Sequence, residues 1–212
     1  MLDRLRSIVQ KVNAARDLQS ALDIIVHKVR QALDTQVCSV FLLDSDINAH
    51  VLMASDGLKK ESIGHVSLEA GEGLVGLVAK HAEPLNLQDA SLHPSFHYLK
   101  DTGEELYHSF LGVPIIHHRS VLGVLVVQHE ERRRFDESEE AFLITLSAQL
   151  AGVIAHAEAT GAIEGISPSG HKTSDTVFPG VSGSSGVAIG EAVVVFPHAD
   201  LSQIPQRRTG DI

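Results

Sequence analysis

Cysteine is almost absent: Cys38 is the single thiol among 212 residues, so no disulfide can form within the chain. A reducing, cytoplasmic setting is the simplest reading. Positive charge is also short, with 17 basic against 27 acidic residues and a net charge of −10. That balance excludes a surface built for nucleic acid or for an anionic membrane, because phosphate binding needs a basic field. No apolar run reaches the roughly 20 residues that cross a bilayer. The opening MLDRLRSIVQ mixes acidic and basic residues without a cleavable apolar stretch, so it is not a secretory signal.

What is present is enough for a real core, since hydrophobic residues make up 43% of the chain and wholesale disorder is excluded. Leu2, Leu5, Ile8, Val9 and Val12 recur at helical spacing. Leu18, Leu22, Ile25, Val26, Val29 and Leu33 repeat the pattern behind Asp17, a suitable N-cap. The period then changes to strand. Val37–Leu43, His50–Ala54, Val66–Leu68 and Leu85–Leu87 read as strands, and Leu74–His81 as a short helix entered through glycines. Asp89–Glu105 is polar and irregular, the kind of stretch that carries function or moves.

Phe110–Ile116 and Val121–Val127 flank the polar turn His117–Ser120 and predict a hairpin buried on both faces. Pro114 cannot donate to a ladder, so its strand should have an open side or a bulge next to a cavity. Asp136-x-x-Glu139 then opens a helix striped by Phe142, Leu143, Leu146, Leu150, Val153, Ile154 and Ala157. The expected architecture is α/β, or more narrowly α+β, with a central antiparallel sheet flanked by helices over residues 1–160. Residues 161–180, rich in Gly, Ser, Pro and Thr, read as a linker. Residues 181–212 read as the truncated start of another domain, since about thirty residues cannot bury a core of their own. That tail is expected to be protease-sensitive and undocked.

Few residues carry chemistry by pattern alone. Alternation along Cys38–Leu43 puts Ser39 and Phe41 on one face, an aromatic wall with one polar handle that suits a ligand. A serine bonded to backbone in an ordinary core fits the same pattern. His93 and His97 stand four apart, but Pro94 between them and the lack of a carboxylate or thiolate cluster argue against a metal. His117-His118 reads as an exposed turn, Glu130–Arg134 as a solvated one, and Gly71-Glu72-Gly73 as a tight turn too short for a phosphate loop. Cys38 reads as a small core residue.

Three stretches resemble a GAF domain, a small-molecule-sensing module: CSVFLLDSD from Cys38, NLQDASLHPSF from Asn86, and the SFLGVPI…LGVLVVQ hairpin from Ser109. MLDRLRSIVQKV, DGLKK at Asp56–Lys60 and SGSSGVAIGEAVVV are further similar to the nitrogen-branch enzyme I family of the phosphotransferase system. The resemblance implies a regulatory sensor segment ahead of a phosphoenolpyruvate-dependent autokinase. Its effector would be a nitrogen- or carbon-status metabolite, glutamine or 2-oxoglutarate, and its further partner a phosphocarrier protein. It also implies a pocket lined by Ser39, Phe41, Ser55, Tyr98, Asp101, Thr102 and Phe110, although the sequence around Asp101 and Thr102 favours a solvated loop.

The phosphohistidine motif of that family matches none of the thirteen histidines, so this segment is expected to be no enzyme and to need no cofactor. Gln128-His129 and Arg132 replace the residues by which GAF domains hold cyclic nucleotide. GAF end helices commonly pair between subunits, here through Leu5, Ile8, Val12, Leu150, Val153 and Ile154; packing within one subunit is the alternative. Two rival functions remain at this stage. One is a ligand-free dimerisation module, and the other a free methionine sulfoxide reductase, which would need more than one cysteine.

Overall fold

Residues 2–97, 102 and 107–161 are described in the computed structural model. The two N-terminal stripes form α1 (Leu2–Asn13) and α2 (Leu18–Leu33). Asp17 caps α2 as its sequence predicts, its carboxylate accepting from the Ser20 amide at 2.7 Å. There follow β1 (Val37–Asp44), β2 (Ala49–Asp56), β3 (Ser67–Glu69), α3 (Gly73–His81) and β4 (Leu85–Leu87). The predicted hairpin is β5 (Ser109–His117) and β6 (Ser120–His129), and α4 (Glu137–Ala159) closes the described chain. Short 3-10 turns lie at Lys60–Ser62 and Ala90–Leu92.

All pairings are antiparallel, in the order β3-β2-β1-β6-β5-β4. The central antiparallel sheet expected from the sequence is therefore present. Its faces are covered differently. Cys38, Val40, Leu42, Leu111, Val113 and Leu125 pack against α1, α2 and α4. Val37, Phe41, Leu52, Phe110, Val124 and Val126 pack against α3 and the irregular segments. Strands buried on both faces need no polar alternation, which is why the hairpin reads as two unbroken apolar runs.

His118 and Arg119 make the hairpin turn with φ of 46° and 70°. Two consecutive positive values define the type I′ turn, whose twist matches that of the flanking strands. Pro114 pairs with Val124 on β6, whereas β4 stops opposite Gly112. The proline therefore has an open side, and the register shifts one residue later, between Ile115 and Ile116.

α4 is long and apolar enough by length and composition to cross a membrane. Its stripe instead lies in the core: Leu143, Leu146, Leu150 and Ile154 are almost completely buried. Each such side chain contributes about 1.5–3 kcal/mol of transfer free energy. The capping box is as expected, with Asp136 accepting from the Glu139 amide at 2.9 Å and Glu139 from the Asp136 amide at 2.8 Å.

The proposed intersubunit seam needs correction. Ile8, Val12, Leu150 and Ile154 face the core of their own chain, because α1 and α4 pack against α2 and the sheet. Only Leu5 and Val153 of that set are partly exposed, beside Val9, Ile144 and Thr145. The linker and tail expectations for residues 161–212 lie outside the described residues, apart from Gly161.

Candidate functional site

β1 and β2 pair Ser39 directly with Ser55. Their hydroxyls are 2.9 Å apart, and either can donate. A bulge between Val40 and Phe41 sets this register: Met53 becomes the extra residue of β2 and joins Ala54 on the helical side. Ser55 is thereby turned to the face of Ser39. A strict two-residue alternation does not predict that step.

Phe41 and Phe110 lie on the same face within one apolar cluster, together with Val124 and Val126. Phe110 lies across Gly112, where an added Cβ would stand 2.8 Å from its ring and 3.1 Å from Val78. The glycine therefore makes room for the aromatic ring under α3. Thr102 is buried, and its carbonyl accepts from the Lys59 amide at 3.2 Å, which ties it to the segment after β2. Ser39, Phe41, Ser55 and Phe110 thus share one face of the sheet, with Thr102 held to the segment leaving β2. Tyr98 and Asp101 lie outside the described residues.

The hydroxyl pair is half-satisfied by itself. Each hydroxyl can donate once and accept twice, so their mutual bond leaves accepting and donating capacity for a polar group. An aromatic and aliphatic surround with a few convergent hydroxyls is the usual makeup of a small-molecule site.

Cys38 points the other way. It is fully buried among the helix-facing residues, and burial pushes its thiol far above the ordinary range, with the charge of Asp56 adding to the effect. A thiol held protonated there is a poor nucleophile. His97 pairs with Glu72 at 3.3 Å, while His93 ends a 3-10 turn and its ring accepts from the Ser95 amide. Among the described residues no group of three or more His, Cys, Asp or Glu could hold a metal.

The run Glu130–Arg134 is more engaged than a solvated turn. Arg132 donates to Asp89 at 2.6 Å, and Arg133 forks onto Glu139 at 2.9–3.0 Å while lying 4.4 Å above the Phe135 ring. The Ser91 hydroxyl and Arg132 hold the Asp89 carboxyl below the usual carboxylate range.

Asn86 was not legible as a structural residue. Its Nδ2 donates to the Phe135 carbonyl at 2.9 Å and to Glu140 at 3.0 Å, while its Oδ1 accepts from the Phe135 amide at 3.2 Å. One side chain thus clamps β4 to the entry of α4. Its signal in the sequence was an amide between two leucines in a three-residue strand. His50, legible in the sequence only as the start of a strand, is a histidine buried in β2.

The model of the GAF domain matches residues 17–154. Over 160 residues the chain is 52% identical to the phosphoenolpyruvate-dependent phosphotransferase system protein of Salmonella typhimurium, covering 76% of this chain and 21% of that one. The solved GAF domain of a phosphoenolpyruvate-protein phosphotransferase from Coxiella burnetii is 48% identical, with a TM-score of 0.74, covering 76% of this chain and 96% of that one. The free methionine-R-sulfoxide reductase of Neisseria meningitidis is 20% identical with a TM-score of 0.64, covering 74% and 89% of the two chains, a likeness of fold alone. The chain belongs to the GAF domain family, in the branch carried by phosphoenolpyruvate-protein phosphotransferases. It spans about a fifth of the length of the curated relative from Salmonella typhimurium.

Proposed function

We propose that this chain is the regulatory, ligand-sensing segment of a nitrogen-type phosphoenolpyruvate-protein phosphotransferase. Its effector is a small metabolite that reports nitrogen or carbon status, with glutamine and 2-oxoglutarate the two candidates. The observation that carries the reading is the Ser39–Ser55 hydroxyl pair at 2.9 Å, on the sheet face that also holds Phe41 and Phe110. A polar ligand group exchanges for part of that bond while its carbon skeleton packs on the aromatic rings. Ligand that prefers one arrangement of the segment shifts the balance of the kinase domains that follow, by its difference in affinity for the two states. In this reading the protein is cytoplasmic and the full-length parent passes its phosphoryl group to a phosphocarrier protein.

A homodimer belongs to the same proposal, through the solvent side of α1 and α4. Leu5, Val9 and Thr145 line a groove there, and Ile144 is 40% exposed nearby. Redox catalysis at Cys38 does not fit this reading, because the thiol faces the helices.

Isothermal titration of glutamine, 2-oxoglutarate and cyclic GMP into the full chain tests the reading. Saturable heat with glutamine or 2-oxoglutarate, weakened at least tenfold in Ser39→Val, is expected. Tight binding of cyclic GMP with no response to the other two overturns it.

A further inference from the structure

A groove of about 640 Å³ runs between the last turns of α4 and the corner where α1 turns into α2. Val12, Ala15 and Leu18 form one wall, and Val153 and Ala157 the other. Ala15 and Val153 are only partly covered, and Arg16 and His156 stand exposed on the rim. The α4 residues that line it run from Gln149 to Thr160, about 16 Å at 1.5 Å of rise per residue.

The end of α4 turns the chain toward this groove. Gly161 has a φ of 68°, and its amide donates to the Glu158 carbonyl at 3.1 Å. That bond is one of the pair that makes a Schellman motif, which commonly brings the next residue into apolar contact with the last turn of the helix. The residues at those two positions are Ala162 and Ala157, and Ala157 lines the groove. Residues 162–166 read Ala-Ile-Glu-Gly-Ile, whereas Ser167–Thr176 holds no Val, Leu, Ile, Met or Phe. The first part of the expected linker therefore keeps its large apolar side chains beside the groove.

We propose that residues 162–166 dock in this groove, so that the chain's own continuation covers the apolar surface between α4 and the α1–α2 corner. Five extended residues reach about 16–18 Å, which matches the length of the lining. Ile163 and Ile166 pack on Ala15 and Val153, and Glu164, the one charge in the segment, meets Arg16. Tethering at Gly161 gives this segment an effective concentration that a second molecule would have to match. The undocked tail expected from composition then begins after Ile166.

Gly152 provides the test. It is exposed in the groove lining and an added Cβ there meets nothing within 4 Å, so Gly152→Trp fills the groove without a clash inside the domain. The probe is nuclear magnetic resonance of the full chain, methyl-labelled at isoleucine and valine, with Ile163 assigned by its loss in Ile163→Leu. A cross-peak between the Ile163 and Val153 methyls is expected, with backbone order parameters of about 0.85 over residues 162–166. In Gly152→Trp that cross-peak should vanish and the order parameters fall below about 0.6, while the Ile25–Val29 cross-peaks of the core stay unchanged. Ile166→Asp, which leaves the domain itself untouched, should release the segment in the same way. Low order parameters without the cross-peak in the parent chain overturn the proposal, as does a cross-peak that survives Gly152→Trp. A cross-peak seen only between labelled and unlabelled copies in a mixed sample also overturns it, giving the groove to a second copy of the chain.

Discussion

Replacing Asn86 with alanine should destabilise this domain out of proportion to the three atoms removed. The side chain makes three hydrogen bonds, at 2.9, 3.0 and 3.2 Å, two of them to the backbone of Phe135. Phe135 is 3% exposed, so its carbonyl and amide lose partners where water does not easily replace them. Each stranded buried group costs about 1–3 kcal/mol, and the loosened Glu140 adds little because it is only partly buried. Two such groups give an expected loss of about 2–6 kcal/mol. For a domain near 150 residues, 1 kcal/mol moves Tm by roughly 2–4 °C, so a drop of about 4–24 °C follows.

Urea and thermal denaturation followed by far-ultraviolet circular dichroism read both quantities. Asn86→Asp is the informative companion. It keeps the acceptor for the Phe135 amide but turns a carboxylate toward the Phe135 carbonyl and Glu140, so it should be no more stable than the alanine variant at pH 7. It should regain stability as that carboxylate is protonated. A loss under 0.5 kcal/mol in Asn86→Ala, or an aspartate variant as stable as the parent, would refute the clamp.

Cys38 should resist a thiol reagent such as dithionitrobenzoate in the native state and react at once in urea, because burial holds it protonated and covered; rapid native labelling would contradict its placement. The His50 ring is pushed by burial toward its neutral form, so its folded pKa lies below the unfolded value of about 6.5. The unfolded state then binds more protons just below that value, and stability should rise with pH there. Denaturation at pH 5, 6 and 7 should show a smaller rise in His50→Leu than in the parent. Asp136 is held low first by the hydrogen bond from the Glu139 amide, so its contribution is present above the unfolded value of about 3.9 and is lost as pH falls through the lower folded one. Asp136→Asn should therefore flatten the acid side of the stability curve between pH 4 and 2.

Much of the fold was legible because its signals are local. Asp17 and the Asp136–Glu139 box announce helix starts, and the unbroken apolar runs of β5 and β6 announce burial on both faces. The open side at Pro114 followed from its missing amide hydrogen alone. Where reading failed, the cause was long-range packing. Ile8 and Ile154 form a stripe whether the partner is another subunit or the chain's own α2, and only the folded arrangement decides. Asn86 meets Phe135 across 49 positions, which no local pattern contains. Ser39 and Phe41 could be read as neighbours on a face, yet the bulge that brings Ser55 to Ser39 was invisible. Arg132 and Arg133 looked like surface charge until Asp89 and Glu139 were placed beside them.

The central claim is that a small nitrogen- or carbon-status metabolite binds the α3 side of the sheet at the Ser39–Ser55 pair. Amide chemical-shift mapping of the full chain during titration with glutamine, and separately with 2-oxoglutarate, tests it most directly. The account predicts that one of them shifts the amides of Ser39, Ser55, Thr102 and Phe110 saturably and leaves the solvent side of α1 unmoved. Shifts confined to α1 and α4, or no saturable shift from either metabolite, would contradict it.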